Sequence, residues 1–322
     1  MDVLVTGAAG FIGYHAARLF LARGDRVLGV DVLNDYYPVA LKRARLAELA
    51  AFEAFTFVQA DVADPEALKA AIARQPDVIV HLAAQAGVRY SVDNPYAYVQ
   101  SNVTGQVSVF ELAASLTGNP PVVYASSSSV YGASDAIPFM EDDRADRPVS
   151  VYAATKRAGE LLANAYAETR GVASTGLRFF TVYGRFGRPD MAPWLFTDAI
   201  LRGQPIAVFN NGDMERDFTH VSDVAAGVVA ATDLMVAAPK SAAPIYNLGN
   251  SRPVRLLDFI ATIERATGRS AIMEMRPKPA GDVVRTFADV TRAARDLGYC
   301  PATSLDEGIG DFVQWYRGYA GL

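Results

Sequence analysis

Residues 2–13 read Asp2-Val-Leu-Val-Thr6-Gly7-Ala-Ala-Gly10-Phe-Ile-Gly13, a short apolar run, then three spaced glycines, then a helix-length periodic stretch over 11–23. The run is expected to be a strand. Glycines at a strand-to-helix turn let the backbone approach a ligand, and the free amides and positive dipole end of the following helix suit a pyrophosphate. Residues Gly7, Gly10, Phe11, Ile12 and Gly13 are therefore candidate dinucleotide contacts. The spacing departs by one residue from G-x-G-x-x-G, and read alone it also fits a bare tight turn. Asp31 ends the second apolar run, 18 residues past Gly13. A carboxylate there accepts hydrogen bonds from an adenosine ribose and repels a 2′-phosphate, which favours NAD over NADP. The competing reading is that Asp31 merely caps the next turn.

Working outward, residues 2–6, 26–31, 55–59, 77–82, 121–125 and 174–179 read as strands. Helical periodicity occupies 11–23, 39–51, 64–74, 96–117 and 150–170. This alternation predicts an α/β fold, a doubly wound parallel sheet of Rossmann type, because parallel neighbours need crossover connections. After about residue 180 the rhythm breaks into a stretch rich in Gly, Pro, Arg and aromatics (184–217), followed by a helix over 222–237 and a strand at 245–247. The expected division is a dinucleotide-binding domain of 1–183 and 217–249, with a smaller C-terminal α/β substrate lobe of 184–216 and 250–322 over the carboxyl ends of the strands.

Composition excludes several classes. Half of the 322 residues are apolar and the net charge is −5, so a disordered chain is excluded and nucleic acid is not an expected partner. Cys300 is the only cysteine, and His15, His81 and His220 lack metal-ligand spacing. No disulfide and no metal are expected. Nothing reads as a signal peptide or a membrane span, and a cytoplasmic location is expected.

Asp61-Val62 and Leu82-Ala83-Ala84 also lie at carboxyl ends of strands, the latter small enough to lie against a cofactor; ordinary strand termini are the equal alternative. Tyr152 and Lys156 stand four apart at the start of a helical stretch, so they share a face. A lysine ammonium near a phenol favours phenolate and suits the tyrosine to acid/base work. Upstream, Ala125-Ser126-Ser127-Ser128-Ser129-Val130-Tyr131-Gly132 follows the fifth strand. Its hydroxyls either cap a turn or face Tyr152.

Together, Gly7-x-x-Gly10-x-x-Gly13, the serine run before Val130-Tyr131-Gly132, and Tyr152-x-x-x-Lys156 resemble the extended short-chain dehydrogenase/reductase family over essentially the whole chain. The resemblance implies that Tyr152 is the acid/base, that Lys156 lowers its pKa and binds the nicotinamide ribose, and that Ser127 hydrogen-bonds the reacting hydroxyl. It also implies that Asn102 supports the site. Members begin by abstracting hydride from carbon 4 of a nucleotide sugar. The 4,6-dehydratases add an Asp-Glu pair, and the UDP-glucuronate decarboxylases a glutamate where this chain has Ser129. The absence of a carboxylate among 126–129 implies a plain epimerase.

The segments Ala86-Gly87-Val88-Arg89-Tyr90-Ser91, 148–156 and Gly187-Arg188-Pro189-Asp190-Met191-Ala192 are similar to the UDP-glucuronate 4-epimerases of that family. The implied reaction interconverts UDP-glucuronate and UDP-galacturonate through a 4-keto sugar. A ketone β to a carboxylate is prone to decarboxylation, so the carboxylate must be held away from the carbonyl π system. Arg188 is the candidate clamp, with Arg89, Ser128, Ser129 and Thr181 around it. Relatives are expected to have proline after Tyr183-Gly184; here Arg185-Phe186 follows, and Arg185 shares or replaces the role of Arg188. For the UDP end the resemblance implies Arg216, Asp282 and Arg285. The alternatives are a UDP-glucose 4-epimerase, a UDP-glucuronate decarboxylase, and an NAD-sensing scaffold. The helices over 96–117 and 150–170 match the pair through which relatives dimerise, with Ala113, Ala114, Ala158 and Ala165 as close-packing positions; a homodimer is expected.

Overall fold

Valine- and isoleucine-rich runs bounded by glycine and polar residues form the strands, since β-branched side chains suit a sheet covered on both faces. The computed structural model describes residues 1–134, 136–238, 243–279 and 283–322. In chain order the strands are β1 (Asp2–Thr6), β2 (Arg26–Asp31), β3 (Phe55–Gln59), β4 (Val78–His81), β5 (Val122–Ser127), β6 (Ser174–Phe179), β7 (Thr181–Tyr183), β8 (Pro205–Phe209), β9 (Glu215–His220), β10 (Ile245–Leu248), β11 (Pro253–Arg255) and β12 (Ile272–Arg276). Seven of them form one parallel sheet in the order β10-β6-β5-β4-β1-β2-β3, the doubly wound arrangement expected. The strand order reverses beside β1, and open α/β sheets bind ligands at the carboxyl ends there.

Alternation along β1 sends Val3 and Val5 to one face and Leu4 to the other. Val3 and Val5 join the core made with Tyr14, Ala17 and Phe20 of the Phe11–Ala22 helix and Val224, Val228 and Ala231 of the Val221–Ala237 helix. Leu4 packs with Ile79, Val122, Val109, Phe110 and Ala163, the last three from the Gly105–Ser115 and Val151–Arg170 helices.

Strands β7, β9 and β11 make a three-stranded sheet, and β8 pairs with β12. A separate core unites Phe196, Ile200, Ile206, Val208, Phe218 and Phe259 there. Two expectations change. Residues 290–299, assigned from sequence to the smaller lobe, pack on the main sheet, where Ala293 and Tyr299 enter its core. The helix expected over 96–117 is three pieces, Pro95–Tyr98, a π-helical turn over Val99–Thr104, and Gly105–Ser115. Such turns insert one residue into the ladder and recur at functional sites; this one carries Asn102.

Candidate active site

One cleft runs across the carboxyl ends of the strands, lined from Gly7, Gly10 and Asp31 at one end to Ser127, Tyr152, Lys156 and Arg188 at the other. Phe11, Ile12, Gly13, Asp61, Val62, Leu82, Ala83 and Ala84 also line it. Gly7 has φ +73°, and a Cβ there would stand 2.6 Å from the Ala83 nitrogen. A Cβ on Gly13 would collide with the Gly7 carbonyl oxygen. The glycines are thus required by backbone crowding as well as by any ligand. The Phe11–Ala22 helix begins at Gly10 without a side-chain cap, so its first amides are left for a ligand at its positive end. The Asp31 carboxylate accepts from the Ala9 amide at 3.2 Å and the Leu33 amide at 2.8 Å. It therefore fixes the glycine turn while remaining on the cleft. These features fit a dinucleotide.

At the other end, the Ser150 hydroxyl accepts from the Ala153 amide at 3.1 Å and starts the Val151–Arg170 helix. That cap sets Tyr152 and Lys156 on the first turns, and Tyr152 meets the Ser127 hydroxyl. Burial raises the phenol pKa, opposed by that hydrogen bond and the Arg188 charge. The Lys156 ammonium donates to the Ala125 carbonyl at 2.9 Å, and burial lowers its pKa to about 8. Desolvation is the largest influence on both groups. His81, hydrogen-bonded to the Thr6 hydroxyl, is held neutral, its pKa lowered to about 3 by burial and by the Lys156 charge.

Asn102 is buried. Its amide accepts from the Gln85 amide at 2.8 Å and donates to the Gln85 carbonyl and the Thr155 hydroxyl, each at 3.0 Å. It thereby fastens the loop after β4 to the helix bearing Tyr152. The four serines divide their work. Ser127 accepts from the Ser129 amide at 3.2 Å and donates to its hydroxyl at 3.2 Å within a 3-10 turn that includes Ser128. Ser126 points away and donates to Glu160 at 2.7 Å. Glu160 is paired with Arg178 at 2.7 and 2.8 Å, both essentially unexposed. Sequence reading missed this network because charged pairs so far apart along the chain carry no local signature.

Of the candidate sugar and nucleotide contacts, Arg188 is the cation on the cleft. Its Nε donates to Asp190 at 3.0 Å and an Nη holds the other carboxylate oxygen, to which Tyr36 also donates at 3.0 Å. Arg185 is turned to Asp311 of the Leu305–Ala320 helix instead, which corrects its assignment as a second clamp. Arg89 lies with its guanidinium 4.5 Å from the Phe209 ring centre, away from the cleft lining. Arg216 donates to the carbonyls of Val283 and Val284 at 2.6 and 2.9 Å, and Arg285 pairs with Glu215 at 2.5 Å. Asp282 lies outside the described residues. Thr181 opens β7, opposite Phe218.

The cleft also contains Asn34, Tyr36, Tyr37, Lys42, Gln85 and Met191, which sequence reading did not single out. Lys42 and Arg45 are both buried although they lie on a surface-length helix, Val39–Leu49. Cations three apart just after Tyr36-Tyr37 were the available signal.

Residues 3–249 match the NAD dependent epimerase/dehydratase family. The chain is 45% identical over 332 residues to UDP-glucuronate 4-epimerase 2 of Arabidopsis thaliana, covering 99% of this chain and 76% of that protein. It is 44% identical over 331 residues to a probable UDP-glucuronate 4-epimerase of Rhizobium meliloti, covering 98% and 97%. The crystal structure of UDP-glucuronic acid 4-epimerase from Bacillus cereus, in complex with UDP-glucuronic acid and NAD, superimposes with a TM-score of 0.90 at 31% identity, covering 99% and 100% of the two chains.

Proposed function

For a chain that belongs to the NAD dependent epimerase/dehydratase family, we propose a UDP-glucuronate 4-epimerase, an isomerase that interconverts UDP-glucuronate and UDP-galacturonate. The observation that carries this reading is the meeting of Ser127, Tyr152 and Arg188 in one cleft with the glycine turn, with no carboxylate among residues 126–129. Gly7, Gly10, Gly13, Asp31, Asp61 and Lys156 line the cleft where NAD would be held, and the cofactor would supply the redox chemistry at carbon 4. Tyr152 takes the proton of the 4-hydroxyl as carbon 4 is oxidised and returns it to the oxygen when the other face is reduced. Burial keeps the phenol protonated, the form needed for return, while Ser127 and Arg188 favour the phenolate needed for abstraction. Ser127 orients the reacting oxygen. Arg188 offers its remaining donors to the sugar carboxylate and keeps the keto acid from losing carbon dioxide.

The smaller lobe, through Arg216 and Arg285, is assigned to the UDP end. Among the described residues no helix is long and apolar enough to cross a membrane, and we place the enzyme in the cytoplasm. We assign it as a homodimer through the helices of residues 95–115 and 151–170. Tyr96, Val99 and Leu161 support this assignment, being 85%, 47% and 55% exposed on those helices. Ala113 is excluded from that contact, because it is buried in the protomer's own core.

The deciding experiment is product analysis of purified protein with UDP-glucuronate or UDP-glucose, using Tyr152→Phe as the inactive control. UDP-galacturonate without carbon dioxide release is expected. UDP-galactose as the sole product, or a UDP-pentose, would replace this reading by the neutral-sugar epimerase or the decarboxylase.

A further inference from the structure

Arg45 is fully buried, and no carboxylate lies within 4.0 Å of it among the described residues. Its Nη1 donates to the Ala9 carbonyl and to the Tyr37 hydroxyl, each at 2.7 Å, and its Nη2 donates to the Phe186 carbonyl at 2.6 Å. Its Nε is buried without a partner. Ala9 lies inside the glycine turn. Phe186 lies two residues before Arg188 and has φ +57°, a left-handed conformation rare for a bulky side chain. The Phe186 ring is wedged between Tyr14 at 5.1 Å and Trp315 at 4.8 Å. One guanidinium thus bridges 141 residues of sequence, joining the turn that faces the cofactor to the loop that carries the clamp.

A buried cation without a counter-ion is costly unless something anionic comes near. The uncapped start of the Phe11–Ala22 helix, which suits an anion, lies directly after Ala9, whose carbonyl Arg45 holds.

We propose that Arg45 is a positioning residue that couples the two halves of the site: it adds a buried positive charge behind the pyrophosphate turn and holds the 184–188 loop so that Arg188 meets the sugar carboxylate. The inference rests on the function proposed above for its sugar arm, whereas its cofactor arm stands on the turn alone.

The test compares wild type, Arg45→Lys and Arg45→Met by calorimetric titration with NAD and then, at saturating NAD, by the KM and kcat for UDP-glucuronate. Inhibition by UDP serves as a control lacking the carboxylate. Arg45→Met is expected to weaken NAD binding at least tenfold and to raise the uronate KM at saturating NAD, with kcat and inhibition by UDP little changed. Arg45→Lys, which keeps the charge and loses the fork, is expected to recover NAD affinity more than KM. Unchanged NAD affinity in Arg45→Met, or an unchanged KM at saturating NAD, would overturn the coupling.

Should both variants fail to fold, hydrogen exchange of the wild type decides. NAD is expected to slow exchange of the amides at 185–188, and no change there would equally overturn the proposal. If product analysis replaces the uronate by a neutral sugar, the NAD titration still decides the cofactor arm.

Discussion

Arg188 and Asp190, two residues apart, form a forked pair, with the Arg188 Nε and one Nη on the two oxygens of a single carboxylate. Two of five N–H donors are thereby committed and the guanidinium plane is set. On the function proposed above, removing the arginine deletes the clamp and leaves an anionic side chain beside an anionic substrate. We expect Arg188→Ala to lower kcat/KM for UDP-glucuronate by about 10- to 100-fold, the scale of one charged hydrogen bond at about 1.5–3 kcal/mol. Arg188→Ala with Asp190→Asn should recover part of the loss. Steady-state kinetics on the three proteins, with UDP-glucose as a neutral competitor, measure this; unaltered turnover would remove Arg188 from the sugar site.

Lys156 gives a pH signature. Its folded pKa, about 8, is depressed below its ordinary 10.5 by burial, so between those values the unfolded chain binds more protons and stability rises with pH. Below about pH 8 both states are protonated and the full cost of burying the ammonium is present. Denaturant unfolding of wild type and Lys156→Met from pH 7 to 10 checks this. The variant is expected to be the more stable at pH 7, by up to roughly 3 kcal/mol, with the gap narrowing above pH 8. A gap that does not change with pH would mean the ammonium is not desolvated.

Glu160 and Arg178 are buried together behind the serine run. Glu160→Gln strands the Arg178 charge and loosens Ser126, and is expected to cost about 3–5 kcal/mol in urea unfolding. Exchanging both partners for leucine and methionine should cost less, because no fully buried charge is left unpaired: Arg157, which also pairs with Glu160 at 2.8 Å, is partly exposed and keeps Asp146 at 3.7 Å. A single-variant loss under 1 kcal/mol would show that the pair is replaceable by solvent.

The exposed apolar positions on the two long helices lead to an assembly measurement. Leu161→Asp puts a charge on the proposed contact, where Leu161 is exposed, and is expected to convert the dimer to monomer in light scattering, with the circular dichroism spectrum retained. A wild-type monomer would exclude the assembly.

The strands, the glycine turn, Asp31 and the Tyr152-Lys156 pair were legible because each is local. Sheet periodicity, backbone permissiveness and the four-residue helical repeat act within a few positions, and the structure keeps those boundaries nearly unchanged. Four serines in a row were legible as a site but not as a division of labour. Whether Ser126 or Ser127 faces Tyr152 depends on the strand pleat and on Glu160, 34 residues away.

The sequence by itself determined the fold class, the glycine turn and the placing of Tyr152 and Lys156 on the first turns of one helix, because short-range sterics and hydrogen bonding specify them. Only the tertiary structure decided which arginine serves the cleft, since Arg185 and Arg188 are chemically alike and are told apart by Asp311 and Asp190. It also decided the protonation tendencies of Tyr152 and Lys156 and the bridge made by Arg45. Desolvation and charge depend on everything that packs around a group, and the chain brings those neighbours from far along its length.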